Sequence, residues 1–265
     1  MVGLKSFFCR FYVAIVMIFM YAPILVLIVL SFNSKKTYAS WGGFSLKWYA
    51  DMFRSTRIMN AFGNTIALAL ISAVIATLLG LVACIGIDAM NKRQYSLVMT
   101  ITNIPMLNAD IVTGIAMMLF FMSFMKLNFT SVLLAHITFN IPYVILNIMP
   151  RFNQIDVSTY EAARDLGGGP VYSFFKVILP EIVPGMLAGF FMAVTMSMDD
   201  FVITFFTKGA GFDNLSTMVY AEKRRGIEPS MYALSTVIFI ITVLLLVSVN
   251  VLTAPKKNKI KAAER

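Results

Sequence analysis

Residues 161–180 read EAARDLGGGPVYSFFKVILP, a polar stretch between two apolar runs, each long enough to cross a bilayer. Ser158-Thr159-Tyr160-Glu161 has the S-x-x-E form of a capping box. It predicts a helix from Thr159 to Leu166, with Gly167 placed to take the left-handed conformation past its end. Gly169-Pro170 restarts a helix, since proline suits the first helical position, and Pro180, which lacks an N–H, ends that second run. Each helix has about two turns, well short of the roughly 12 residues at which an isolated helix becomes even marginal in water. Both need a surface to dock on, so the stretch reads as a docking element for another protein.

Hydrophobic residues make up 59% of the 265 positions and charged residues 13%, with mean hydropathy +0.80. An ordinary globular domain carries roughly 25% charged residues, so this is a polytopic membrane protein. The net charge of +9 is spread over short loops and the C-terminal tail. Nucleic-acid recognition needs basic residues gathered on one face, so anionic lipid headgroups are the expected partner and nucleic acid is not. Cys9 and Cys84 stand far apart beside or inside apolar runs, which supports neither a disulfide framework nor a CxxC site. The single histidine, His136, sits in an apolar run without Cys, Asp or Glu at ligand spacing, and packing or an interhelical hydrogen bond is its expected role.

Outward from the polar stretch, six spans are expected. Phe11–Phe32 carries no charge and is too long for a signal-peptide core, so it reads as an uncleaved first helix, kinked at Pro23. A long outer loop follows with Tyr38, Trp41, Trp48 and Tyr49, in which SLKWYADMF has the pattern of an amphipathic interfacial helix. Residues 64–87 form the second span. Residues 95–125 are too long for one straight helix and must break near 105–110, with Asp110 a candidate cap for the helix resuming at Ile111 through the Thr113 N–H. Residues 129–149, bent at Pro142, 184–206 and 231–253 complete the set, and the tail 256–265 is basic and expected to be disordered. Six spans put both termini on one side. That side collects 12 of the 22 basic residues, and its connections are mostly short, so the termini and the loop 150–180 are expected in the cytoplasm.

No G-x-x-x-x-G-K-[ST] occurs, so ATP phosphates have no cradle in this chain. With one histidine and no metal-ligand cluster, there is no covalent or metal chemistry to assign. The informative residues are carboxylates inside apolar runs, where an ionised group costs roughly 2.5–3.5 kcal/mol on insertion scales and so faces a partner or a wet cavity. Asp199 and Asp200 lie about 15 residues past Pro184, with Ser197 and Thr204 at i−3 and i+4 from Asp200 and Thr195 four before Asp199. A polar sector on one side of the fifth helix follows, with no Lys or Arg inside the span to neutralise it. A cationic substrate would fill that vacancy; the competing role is a cap at a helix break for one aspartate and pairing across a subunit interface for the other. Asp110 divides evenly between cap and pathway residue. Trp48 and Tyr49 suit either an interfacial aromatic belt or cation–π attraction of an alkylammonium at an entrance. The 19 methionines read as membrane packing.

Glu161-Ala162-Ala163, Gly167 and Leu179-Pro180 match EAA-x3-G-x9-I-x-LP, the EAA loop of the permease subunits of bacterial ABC importers, departing at Val177 and at Gly168-Gly169. Pro23, Ser31-Phe32-Asn33, Lys47-Trp48-Tyr49, Asp110-Ile111-Val112, His136-Ile137-Thr138-Phe139 and Ser197-Met198-Asp199-Asp200 extend the resemblance to the spermidine/putrescine branch of that family over nearly the whole chain. The resemblance implies one all-α, six-span transmembrane domain over residues 1–265, with the MetI-like architecture of type I ABC importers in the bacterial inner membrane. It implies ATPase coupling through Glu161, Ala162, Ala163, Gly167, Leu179 and Pro180, and a substrate pathway at Trp48, Asp110, Asp199 and Asp200. The implied partners are a second permease in a heterodimer, two ATP-binding subunits that hold ATP and Mg, and an extracytoplasmic polyamine-binding protein; the chain itself holds no cofactor. Two rival readings remain: the same machine for another solute such as ferric ion, and an ion-coupled carrier using the aspartates as proton relays, which would have no need of the EAA loop.

Overall fold

Helices account for nearly every described residue, as a chain with no water to satisfy its backbone requires. The computed structural model describes residues 2–37, 40–223 and 228–253. Tyr38 and the basic tail 256–265 lie outside the described residues. The helices are α1 (Val2–Ser31), α2 (Lys47–Arg54), α3 (Thr56–Asp88), α4 (Lys92–Leu107), α5 (Asp110–Met122), α6 (Phe129–Phe152), α7 (Val157–Asp165), α8 (Pro170–Ser173), α9 (Leu179–Asp199), α10 (Val202–Thr207), α11 (Leu215–Lys223) and α12 (Pro229–Thr253), with a π turn, Phe174–Ile178, joining α8 to α9.

Among the described residues, four helical stretches are long and apolar enough to cross a membrane: Phe11–Ser31, Thr56–Asp88, Phe129–Phe152 and Pro170–Asp199. The pair α4 and α5, bent by 102° at Asn108–Ala109, makes a fifth if it counts as one span, and α12 carries a shorter apolar stretch, Pro229–Leu244. The expected break near 105–110 is present, but its cap differs. Ala109 is the N-cap of α5 and its carbonyl receives the Val112 and Thr113 N–H groups, while Asp110 makes no capping bond. α1 and α6 run on through Pro23 and Pro142.

By its contacts the chain divides into two units, Met1–Ala61 with Met218–Val243, and Phe62–Thr217 with Leu244–Arg265. In the first, Asn33 closes the loop after α1: its amide donates to the carbonyls of Thr37 and Ser40, and its Oδ1 accepts from the Gly42 N–H at 2.8 Å. Trp48 and Met52, one turn apart on α2, are buried, and Phe32 stacks on Phe44 and Tyr49. Arg57 and Glu222 form an ion pair.

The second unit is built around α6, buried along most of its length. α9 lies against it through Gly185-Met-Leu-Ala-Gly189. A Cβ at Gly185 would stand 2.9 Å from the Asn147 carbonyl, and one at Gly189 3.2 Å from the Val144 Cα. Small residues four apart let two helices approach closely where lipid offers no hydrophobic drive to join them. α10 packs on α5, with Phe206 over Gly114. Phe121, Ala135, Phe139 and Ile203 form the core between these helices.

Candidate functional site

The loop expected to dock on a partner has the predicted glycine turn but a different start. Asp156, not Ser158, is the N-cap of α7: its side chain accepts the Ser158 N–H at 3.0 Å, and hydrogen bonds from the Ser158 side chain and backbone hold its carboxyl below the usual aspartate range. A capping box fits the residues at 158–161, but an aspartate two positions earlier provides the competing and observed cap. Gly167 has φ +86°, its N–H donates to the Arg164 carbonyl, and the Gly168 N–H donates to the Ala163 carbonyl, both at 3.0 Å. That pair of bonds is the Schellman closure. Gly168 is sterically required as well, since a Cβ there would stand 2.6 Å from the Ala163 carbonyl oxygen and 2.9 Å from Ser173 Oγ.

Pro170 starts α8 after Gly169, as expected. Pro180 does not end the run. Pro170–Asp199 is one helical stretch of 30 residues, so the fifth span begins inside the polar stretch and not at Pro184. The π turn accommodates the missing Pro180 N–H: the Leu179 N–H reaches back five residues to the Phe174 carbonyl, and the helix passes over the gap. Glu161 and Ala162 on α7 are exposed, Ala163 is half-buried, and Leu166, Val171, Tyr172 and Phe175 present apolar side chains outward.

The fifth span also differs at its far end. α9 stops at Asp199 and α10 begins at Val202, so no continuous polar sector runs along one helix. Asp200 caps the restart: Oδ1 accepts the Ile203 N–H at 3.1 Å, and Oδ2 accepts the Thr204 N–H at 2.8 Å and its hydroxyl at 2.9 Å. His136 Nε2 lies 3.4 Å from Asp200 Oδ2 and 2.9 Å from Thr204 Oγ1, which also receives the Asn214 amide. Because that hydroxyl donates to Asp200, it accepts from His136, which places the ring proton on Nε2. The interhelical hydrogen bond expected for His136 is present. Asp199 is exposed and has no hydrogen bond or ion pair among the described residues. Lys208, the first basic residue after the break, is paired with Asp213.

One turn along α6, Asn140 donates to Ser197 Oγ at 2.8 Å, and Ser197 and Ser72 share a hydrogen bond of 3.1 Å. All three are fully buried. His136 Nδ1 and Asn140 Oδ1 remain without partners among the described residues, a condition that costs about 1–3 kcal/mol for each buried atom. The sequence reading missed this cluster. His136 and Asn140 at i and i+4, against Ser197, Asp200 and Thr204, carried its signal.

The other expected pathway residues separate. Asp110 is exposed in the first turn of α5, where the helix dipole favours a carboxylate. Trp48 is buried at 5% exposure, its indole N–H donates to the Asn33 carbonyl at 2.6 Å, and Lys47 lies over its ring at 5.4 Å. An indole held this way has no open face for a substrate cation, nor is it a lipid-facing belt residue: it closes the loop after α1. Tyr49 bonds Ser31 Oγ at 2.8 Å.

Long apolar helices, one of them buried along most of its length within its unit, mark a multi-pass membrane protein, in which an aspartate-bearing break ends one span and a capped two-helix loop precedes it. Residues 76–255 match the binding-protein-dependent transport system inner membrane component family, and the chain belongs to that family. It is 31% identical to the spermidine/putrescine transport system permease protein PotC of Escherichia coli K12 over 90% of each chain, and 32% identical to PotC of Haemophilus influenzae over 96% of this chain and 99% of that one. Identity to the putrescine transport system permease protein PotI of E. coli K12 is 34% over 83% of this chain and 81% of that one. Among solved structures, a bacterial ABC transporter importing the acidic polysaccharide alginate matches with TM-score 0.67 at 16% identity over 94% of this chain and 93% of that one. The inward-facing MetNI methionine ABC transporter matches with TM-score 0.62 at 17% identity over 76% and 98%. These two support the fold alone.

Proposed function

We propose that this chain is the permease subunit of an ATP-driven importer that carries polyamines, spermidine or putrescine, into the cytoplasm. The observation that carries the substrate class is Asp199, an exposed carboxylate without a partner among the described residues at the helix break that ends an apolar span, with no basic residue in α9 or α10. An alkylammonium supplies the missing charge, and a single carboxylate holds it weakly enough to let it leave. The names of the polyamine-permease relatives favour the same substrate class over ferric ion. The closed glycine turn at 161–168 favours an ATPase-coupled machine over an ion-coupled carrier.

In this reading the chain pairs with a second permease, two ATPase subunits and an extracytoplasmic binding protein. ATP and Mg belong to the ATPases, both termini face the cytoplasm, and exposed Glu161 on α7 meets the ATPase surface. The chain is a transport subunit and not an enzyme. The test is uptake of labelled spermidine and putrescine by the complex purified with its native partners. The Asp199→Asn variant should lose most uptake at sub-saturating polyamine while subunit assembly and basal ATP hydrolysis stay near normal. Wild-type uptake by an intact Asp199→Asn complex would refute the cationic assignment.

A further inference from the structure

The break between α9 and α10 is held on both sides by a single face of α6. Ser197, three residues before Asp200, is bonded to Asn140, and Thr204, four residues after it, is bonded to His136. His136 and Asn140 are four residues apart, so they lie one above the other on α6. Both are buried, and each keeps one polar atom without a partner among the described residues. Unpaired buried polar atoms cost stability and an apolar side chain of similar shape would not, so their presence at this place points to a role in the break itself.

From this geometry we infer that His136, supported by Asn140, is a positioning residue that divides the labour of the two adjacent aspartates. It holds Asp200 inward as the cap of α10 and leaves Asp199 as the one carboxylate at the break that meets substrate. Asp200 is committed: its oxygens take two backbone N–H groups and the Thr204 hydroxyl, with the imidazole beside them. Asp199 ends α9 exposed. The sequence leaves open which of the two is the cap; the break assigns it to Asp200. This division rests on the polyamine-permease reading only for its substrate arm.

The test uses the full importer in a Cys9→Ser, Cys84→Ala background and a membrane-impermeant cationic methanethiosulfonate as the probe. The Asp199→Cys variant should label at least about tenfold faster than Asp200→Cys, and spermidine should slow the first. Adding His136→Phe, which keeps a ring and removes the donor, should raise Asp200→Cys labelling about tenfold, whereas His136→Gln, which keeps an N–H donor, should not. In uptake, Asp199→Asn should raise the half-saturating spermidine concentration about 5- to 150-fold, the span of a charge-assisted contact. Asp200→Asn and His136→Phe should lower the maximal rate with half-saturation within about twofold of wild type, and their double variant should be no worse than the worse single one.

Equal labelling at the two positions, or His136→Phe behaving as wild type in both assays, overturns the inference. Should Asp200→Cys fail to assemble, Asp200→Asn decides: a lower maximal rate supports the division, and a raised half-saturation overturns it. If the labelling pattern holds without spermidine protection or uptake, the division stands and the polyamine reading falls.

Discussion

Replacing Gly167 separates backbone strain from steric crowding, because a Cβ added there would meet nothing within 4 Å while φ is +86°. The cost of a side chain is therefore conformational. Holding an L-residue in the left-handed region costs about 1–2 kcal/mol, least for asparagine and most for a β-branched residue. The loop can avoid that strain only by giving up the Gly167 and Gly168 N–H bonds to Arg164 and Ala163, each worth about 0.5–1.5 kcal/mol. The strained route costs about 1–2 kcal/mol and the other about 1–3 kcal/mol, so taking the cheaper one lowers the population of the native turn about 5- to 30-fold. Gly167→Asn, Gly167→Ala and Gly167→Val should form a graded series in ATPase-subunit co-purification and substrate-stimulated ATP hydrolysis, with valine worst and membrane insertion unchanged throughout. If Gly167→Val matches wild type in both assays, the reasoning that this turn couples the chain to an ATPase is wrong.

Gly185→Val should lower the thermal stability of the detergent-solubilised chain by about 1–3 kcal/mol through overpacking against Asn147 and Arg151, while Gly63→Ala, with open space at its Cβ, should change it little; equal effects would refute the close α6–α9 approach. Asp156 has a depressed folded value, so its capping contribution is present above the ordinary aspartate value of about 3.9 and is lost as pH falls through the folded value. Hydrogen exchange over residues 157–160, corrected for intrinsic rates, should accelerate below that pH in the wild type and stay flat in Asp156→Asn. The purified chain, which has no P-loop, should neither bind nor hydrolyse ATP; hydrolysis that follows the pure chain through chromatography would overturn the permease assignment.

Much of the helix content could be read in advance, because runs of about 20 apolar residues have few alternatives in a bilayer. The glycine turn at 167 was legible for a local reason: helix termination and positive φ are set by the residue itself. Caps were less legible. Ser158 and Asp110 both fit capping rules, yet Asp156 and Ala109 hold those positions, since several polar residues compete at a helix start and backbone geometry selects one. Trp48 misled in another way. Its amphipathic surroundings suggested an interface, whereas the contact that buries it, with Asn33, joins residues 15 apart through the fold of a loop.

The start of the fifth span was illegible because it depends on a turn that local rules do not announce, and its far end was readable only as the competing role, a cap at a helix break, which Asp200 fills. Pro180 would stop an isolated helix, but a π turn placed before it lets the stretch run 30 residues from Pro170 to Asp199, roughly 45 Å at 1.5 Å per residue. No glycine or proline ends the helix at Asp199; the stop comes from the next residue, Asp200, turning to cap α10, with His136 and Asn140 on a different helix holding the break. Along this stretch the packing is uneven. From Ile182 onward, Gly185, Gly189 and Ser197 lock it to α6, while between Pro170 and Glu181 only Ser173 is buried. The π turn falls in that unlocked part. The widened, more weakly bonded turn therefore lies between the glycine-closed α7 and the clamped half that ends in Asp199.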